Sequence, residues 1–148
     1  MQSGSERSLL MPPPRPAFSR SSRLLKHSSF EAVYKQGRRH FSSSMTFFYI
    51  LRPAADVAGK KAAQIGFTVG RVLGGSVERN RIKRRVRDAV RLNLTRLNEA
   101  LSERELAAEI VINPKKSALK AVASALRLEV ERGFEVIAAN KQPRDKQK

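Results

Sequence analysis

One long helix near the middle of the chain constrains the fold more than any other part of the sequence. At about 100° per residue, seven apolar residues fall in a single stripe along it. The stripe consists of Ile82, Val86, Ala89, Val90, Leu94, Leu97 and Leu101. Ser76 is the predicted N-cap, and Glu78 lies in the first turn, where a carboxylate complements the positive helix end. The pattern predicts an amphipathic helix that docks through this stripe.

The opposite side of this helix is strongly basic. Residues 78–91, ERNRIKRRVRDAVR, hold seven basic and two acidic side chains. Like charges at helical spacing repel one another, and solvated helix faces usually mix the two signs. Arginine outnumbers lysine six to one here, and its guanidinium suits bidentate contact with phosphate. Asn80 adds an amide, and the first N–H groups of the helix are available to a phosphate or a metal-bound water.

The charge of the whole chain points to a polyanionic partner. The net charge is +17 and the pI is about 11.4, which favours nucleic acid first and an anionic membrane surface second. Arginine spacing does not distinguish DNA from RNA. The chain has no cysteine, no apolar run near the ~20 residues of a membrane span, and no recognisable signal peptide. These features predict a cytoplasmic protein.

The segments around the long helix alternate between helical and extended patterns. SSFEAVYKQG predicts a helix that carries Phe30, Val33 and Tyr34 on one side and ends at Gly37. Strands are predicted in SMTFFYILRP, in AAQIGFTVG and in LAAEIVINP, with DVAGKK as a turn. A last helix, SALKAVASALRLEVERGF, is expected to turn Leu119, Val122, Ala123, Leu126 and Val130 inward.

This order predicts an α+β sandwich in one domain. The predicted order is helix, one or two strands, strand, helix, strand and helix. It corresponds to one mostly antiparallel sheet with helices packed on it. A Pro- and Ser-rich segment, residues 1–22, is predicted to be a disordered tail, within which Met11 is a possible alternative start. The domain itself is expected over residues 23–138, followed by a basic tail over residues 139–148.

Aromatic residues concentrate in the first helix and the strand after it. Phe30 and Tyr34 are one helical turn apart, and Phe47, Phe48 and Tyr49 follow on the strand. Core packing is the favoured interpretation for Phe48, whereas for Tyr34 and Tyr49 packing and ligand contact are equally favoured. Aromatic rings beside a basic surface can stack unpaired bases.

The sequence lacks the arrangements of His and Asp residues that are typical of the active site of a protein nuclease. The two histidines, His27 and His40, do not have the spacing of metal ligands, and the three aspartates, Asp56, Asp88 and Asp145, are scattered. No phosphate-binding GxxxxGK[ST] loop is present, and GRVLGG is better explained as a turn that leads into a helix. We therefore predict no catalytic residue, and the sequence leaves open whether a metal binds.

Two segments resemble the bacterial ribonuclease P protein subunit. FTVGRVLGGSVERNRIKRRVRDAVR is similar to the region around the arginine-rich RNR motif of that family, and RLLKHSSFEAVYKQGRR resembles its first helix. The resemblance spans about residues 23–135. It implies that the chain is the protein cofactor of an endoribonuclease. That enzyme is a ribonucleoprotein whose catalytic RNA uses Mg²⁺ to remove the 5′ leader of precursor tRNA by hydrolysis. It also implies a left-handed βαβ crossover. We expect no membrane partner, and no obligate protein partner is evident from the sequence.

The resemblance also assigns two groups of binding residues. The RNR triplet is Arg79, Asn80 and Arg81, and the set expected to bind the catalytic RNA is completed by Arg71, Lys83, Arg84, Arg85, Arg87 and Arg91. A cleft between helix and sheet is expected to hold the precursor tRNA 5′ leader. Its expected residues are Phe30, Tyr34, Phe47, Tyr49 and Thr68.

The chain departs from the family pattern just before the long helix. Gly70-Arg71-Val72 stands where the family usually has Ser-Lys-Lys, so Arg71 is expected to serve alone as the cation. Gly74-Gly75-Ser76 replaces the usual Gly-Asn-Ala, which keeps the turn but removes a side-chain contact at position 75. The alternative class is a non-enzymatic RNA-binding protein, such as a ribosomal protein or an RNA chaperone. Co-purification of one structured RNA with precursor-tRNA cleavage would separate the two classes.

Overall fold

The chain forms three α-helices and four β-strands within the residues that the computed structural model describes, which are 22–24, 27–57 and 62–140. In chain order these are α1 (His27–Gln36), β1 (Arg38–Phe41), β2 (Met45–Pro53), β3 (Ala63–Phe67), α2 (Ser76–Glu103), β4 (Leu106–Pro114) and α3 (Ala123–Ala139). The predicted order is confirmed: the sequence predicts one or two strands between the first helix and β3, and there are two, β1 and β2. Residues 1–21, including Met11, residues 58–61 of the predicted turn, and the tail beyond residue 140 lie outside the described residues.

The four strands form one sheet in the order β1-β2-β4-β3. Strand β2 pairs antiparallel with both β1 and β4, whereas β3 pairs parallel with β4. A parallel pair needs a crossover connection, and here the long helix α2 supplies it. The predicted α+β class with a mostly antiparallel sheet is confirmed. The left-handed path of the crossover, implied by the resemblance, stays a prediction.

Helices α2 and α3 cover one face of this sheet, here called the inner face, and enclose the main core. All seven residues of the α2 stripe are buried, as predicted. The inner face of β2 contributes Met45, Phe47, Tyr49 and Leu51, which pack in the same cluster. Burying a large apolar side chain contributes roughly 1.5–3 kcal/mol, so this layer holds α2 firmly against the sheet.

The ends of two elements differ from the sequence prediction. Helix α3 begins at Ala123, after a 3₁₀ turn over Lys116–Leu119, so Val122 is exposed and only Leu126 and Val130 of the predicted inward set are buried within the helix. The N-cap of α2 is Gly75, because the helix already includes Ser76. The Oε1 atom of Glu78 accepts a hydrogen bond from the Gly75 N–H at 2.9 Å, which is the half of a capping box that the N3 residue supplies.

A polar cluster fastens the end of α3 to the inner face. The Nδ2 group of Asn140 donates to Tyr49 Oη at 2.6 Å, and Arg38 donates to Asn140 Oδ1. Burial raises the pKa of the Tyr49 phenol, against the smaller opposing effects of the Asn140 hydrogen bond and the Arg38 charge. The folded domain therefore includes residues 139 and 140, beyond the predicted boundary at 138.

Candidate nucleic-acid interface

The first two turns of α2 present an unbalanced positive surface. The turn before the helix depends on Gly74, whose φ of 131° is a conformation that other residues rarely adopt. Asn80, Arg81 and Arg84 are exposed on the following turns, and Arg79 is half-buried. Because the positive end of the helix dipole lies at the same place, dipole and guanidinium groups attract an anion together.

Arg71 extends this surface into the turn that precedes the helix. It lies in a 3₁₀ turn, Arg71–Leu73, with an exposed side chain. Its neighbour Val72 is 86% exposed, at a position where the family resemblance implies a lysine. One cation therefore stands where the family pattern has two, and the surface at this point is correspondingly more apolar.

Three of the predicted RNA-binding arginines make contacts within the chain. Arg85 donates from Nε to the Ala118 carbonyl at 3.2 Å and from Nη2 to the Ala121 carbonyl. Arg91 pairs with Asp88 on the same helix. The guanidinium carbon of Arg87 lies 5.8 Å from the centre of the Phe67 ring, within range of a cation–π interaction. Arg85 and Arg87 thus contact other parts of the fold, which sequence spacing could not reveal, whereas Arg91 pairs within its own helix.

We expect replacement of Arg85 and of Arg84 to have different consequences. Arg85→Ala leaves two carbonyls of the loop before α3 without their charged donor, and such hydrogen bonds contribute about 1.5–3 kcal/mol. Its thermal midpoint should fall by several degrees, whereas that of Arg84→Ala, an exposed neighbour, should stay unchanged. Thermal unfolding followed by circular dichroism measures both. Equal midpoints would show that Arg85 is available to RNA in the same way as Arg84.

Helix α1 crosses the other face of the sheet, here called the outer face. Val33 is fully buried there against Ile50 and Val111. The ring of Phe30 lies directly on Gly66 of β3, where a Cβ atom would come within 2.3 Å of Phe30 Cζ. Glycine at this position allows the helix to approach the sheet closely, so α1 forms one wall of a cleft whose floor is the outer face.

Tyr34 connects the helix wall to the floor of the cleft. Its Oη atom lies 2.8 Å from Thr68 Oγ1 and 2.9 Å from Asn113 Oδ1. A phenol has one hydrogen, so it donates to the Asn113 carbonyl oxygen and accepts from the Thr68 hydroxyl. The Tyr34 ring meets Phe48 edge to face, with ring centroids 5.0 Å apart. The guanidinium of Arg39 lies 5.5 Å from the centre of the Phe48 ring, so a cation borders the aromatic pair.

The predicted cleft residues divide between the two faces. Phe30, Tyr34 and Thr68 meet in the cleft, but Phe47 and Tyr49 lie on the inner face with 0% and 3% exposure. Their predicted position in the cleft is wrong, because side chains alternate along a strand. The packing role favoured for Phe48 agrees in part with the structure, since its half-buried ring packs against the cluster of Val33, Ile50 and Val111 while it also borders the cleft. Phe48, Asn113 and Arg39 are the cleft residues that the sequence analysis missed. The run MTFFYIL is apolar at nearly every position, so it contains no signal for its phase.

The titratable side chains of the described residues do not assemble a metal centre. Within that part of the chain, no group of three or more His, Asp or Glu side chains is placed to hold an ion. His27 pairs with Glu31 at 3.2 Å on the surface of α1, and the His40 ring packs 5.7 Å from Phe47. Residues 22–24, 27–57 and 62–140 also contain no helix that is long and apolar enough to cross a membrane.

The sequence is similar to that of known proteins over most of its length. A family model described as Ribonuclease P matches residues 18–138. The ribonuclease P protein component of Finegoldia magna is 34% identical over 98 residues, which are 66% of this chain and 74% of that protein. That of Symbiobacterium thermophilum is 34% identical over 113 residues, covering 76% of this chain and 88% of the relative.

Solved structures with the same fold are also found. The RNase P protein from Thermotoga maritima has a TM-score of 0.58 at 20% identity, covering 77% of this chain and 96% of the other. A mutant Staphylococcus aureus RNase P protein has a TM-score of 0.61 at 19% identity, covering 79% and 88%. At this identity the likeness concerns the fold, and it agrees with the arrangement of sheet and helices described above.

Proposed function

Because this chain belongs to the ribonuclease P protein family, we propose that it is the protein cofactor of the endoribonuclease that removes the 5′ leader from precursor tRNA in the cytoplasm. One observation carries the proposal: an arginine-bearing helix end and an aromatic cleft occur on one small domain whose described residues lack a cluster of carboxylates. Such a domain can bind two nucleic-acid segments, while the hydrolytic chemistry belongs to the RNA.

In this proposal the first turns of α2 bind the catalytic RNA. Arg79, Asn80, Arg81 and Arg84 supply guanidinium and amide donors for phosphate oxygens, and Lys83 and Arg71 add charge beside them. Arg85 and Arg87 support this surface indirectly, since Arg85 contacts the loop before α3 and Arg87 contacts Phe67 of β3. Arg91 is paired with Asp88 on the same helix. The described residues do not fit a protein-held Mg²⁺ site, so the magnesium ions are assigned to the RNA component.

The cleft on the outer face is assigned to the single-stranded leader. Phe30, Tyr34 and Phe48 offer aromatic surfaces on which bases stack without regard to their identity. Thr68 and Asn113 border them with polar groups that are already oriented by Tyr34 Oη. Because these groups are held in place before the leader arrives, binding costs little conformational entropy.

Replacing the cleft aromatics tests the assignment of the leader. Tyr34→Leu and Phe48→Leu keep apolar volume but remove a ring face, so each should weaken precursor binding by ~1–3 kcal/mol and leave the salt slope unchanged. Arg39→Ala removes a cation instead and should lower the salt slope by about 0.7, the single-strand value for one phosphate contact. The measurement is a salt titration of precursor tRNA binding to the holoenzyme.

Mature tRNA is the matched ligand for this experiment, because it lacks the leader. Its affinity for the holoenzyme should be the same with wild type, Tyr34→Leu and Phe48→Leu. Thermal unfolding of each variant controls for loss of the fold. Equal weakening of precursor and mature tRNA would contradict the assignment and would place these aromatics against the catalytic RNA or in a purely structural role.

A further inference from the structure

A large apolar side chain stands exposed at the edge of the outer face. Phe41, the last residue of β1, is 65% exposed. Its neighbours in β1 establish where it points: Arg39 lies over the Phe48 ring on the outer face, and His40 packs against Phe47 on the inner face. Since side chains alternate along a strand, Phe41 shares the outer face with Arg39 and Phe48. Its exposure means that packing does not account for its ring.

The strand register places Phe41 in line with the floor of the cleft. Phe41 pairs with Thr46 of β2, and Thr46 pairs with Asn113 of β4, which contacts Tyr34 Oη. At ~4.8 Å between neighbouring strands, Phe41 lies about 10 Å across the sheet from Asn113. At about 3.4 Å per nucleotide, the spacing along one strand of a duplex, that interval is at most roughly three nucleotides, because an extended single strand spans more per nucleotide. The cleft and Phe41 can therefore be occupied by one continuous strand.

Two cations flank Phe41. Arg39 is two residues away on the same face of β1, and Lys115 follows the last residue of β4. The Lys115 ammonium donates to the carbonyl of Ser42, the residue after Phe41, at 3.0 Å. An ammonium has three donors, so two remain for a phosphate. An aromatic face between two cations has the composition of a nucleotide site on single-stranded nucleic acid.

The hairpin that carries Phe41 is held on both sides. The N–H group of Ser44 donates to Glu129 Oε1 of α3 at 2.8 Å, and Ser42 Oγ donates to the same oxygen. On the other side, the N–H group of Lys115 donates to the Ser44 carbonyl at 2.7 Å. Because the backbone next to Phe41 is anchored, the ring is a preorganised surface.

We propose that Phe41, with Arg39 and Lys115, forms a second stacking site for the RNA leader, beyond the cleft of Tyr34 and Phe48. The proposal rests on the proposed function, since it extends the path of the leader across the β1–β2 hairpin. It makes Phe41 a determinant of how leader length affects affinity. Leaders that reach from the cleft to the hairpin bind more tightly than leaders that fill only one of the two sites.

The test compares holoenzymes made with wild type, Phe41→Leu and Phe41→Tyr. Precursor tRNAs with leaders lengthened one nucleotide at a time are titrated against each. Phe41→Leu should bind long-leader precursors about fivefold more weakly, equivalent to ~1 kcal/mol for one exposed stack. Phe41→Tyr keeps the ring and should bind as wild type does. The leader lengths at which the Phe41→Leu and Tyr34→Leu losses first appear should differ by at least one and at most roughly three nucleotides, from the spacing given above.

Other variants make the outcome decisive. Leu128→Ala removes an exposed apolar side chain from α3 and should leave every affinity unchanged. If Phe41→Leu binds long-leader precursors as wild type does while Tyr34→Leu binds precursor tRNA more weakly, the proposed second site is overturned and the assignment of the cleft is supported. A loss in Phe41→Leu that is equal for mature tRNA assigns Phe41 to the catalytic RNA and also overturns the proposal. If neither variant weakens the binding of precursor tRNA more than that of mature tRNA, the proposed function of the cleft itself fails.

Discussion

Purified protein without RNA will leave precursor tRNA uncut at every magnesium concentration, and adding the catalytic RNA will restore cleavage at the mature 5′ end. The described residues contain no group of three His, Asp or Glu side chains that could position a metal ion, and such groups activate water in protein nucleases. Enzymes accelerate hydrolytic reactions by at least about 10⁶-fold, so the difference between the two preparations should be all or none. Gel analysis of end-labelled precursor tRNA measures it.

The control for this experiment is nuclease treatment of the protein before the assay, which removes RNA that co-purifies with so basic a chain. Wild type and Arg81→Ala prepared in this way should both be inactive alone. Accurate cleavage at the mature 5′ end by RNA-free protein would contradict the assignment of the chemistry to RNA.

Replacing Arg79 and Arg81 with alanine should weaken binding to the catalytic RNA by about 1–3 kcal/mol each, since each change removes charge-assisted hydrogen bonds to phosphate. Arg81 is exposed, and the Arg79 Nε atom is shielded without a hydrogen-bond partner among the residues that the structure describes. Neither belongs to the apolar stripe of α2, so thermal unfolding should change little. The salt slope should fall by about 0.7–0.9 for each phosphate that the variant no longer neutralises.

Arg96→Ala is the matched control for the helix end. Arg96 lies on the same helix, about 22 Å from Arg81 at 1.5 Å per residue, and its side chain is 73% exposed, 3.1 Å from Glu131. An exposed ion pair contributes at most about 1 kcal/mol, so this variant should match wild type in both stability and RNA affinity. If Arg79→Ala and Arg96→Ala weaken RNA binding equally, the effect is one of net charge, and the assignment of the RNR triplet is wrong.

Long periodic segments allowed much of the fold to be predicted from sequence. The α2 stripe was predicted residue by residue because it extends over more than five helical turns, so that its phase is determined by many positions together. Strand β4, predicted in LAAEIVINP, has the same bounds in the structure. The exposure of Arg81 and Arg84 followed from α2 as well, since both lie away from the apolar stripe, whereas Arg85 and Arg87 border the stripe and contact the rest of the fold.

The cleft depended on information that no local pattern contains. Tyr34 and Asn113 are 79 positions apart and meet only because β2 and β4 pair in one register. On β2 the rings at positions 47, 48 and 49 are chemically alike, so a shift of one residue would exchange the two faces without changing the sequence pattern. The sequence by itself determined which helix is amphipathic and basic, whereas the pairing of strands decided which aromatic rings are exposed, because side-chain direction on an apolar strand is set by its neighbours.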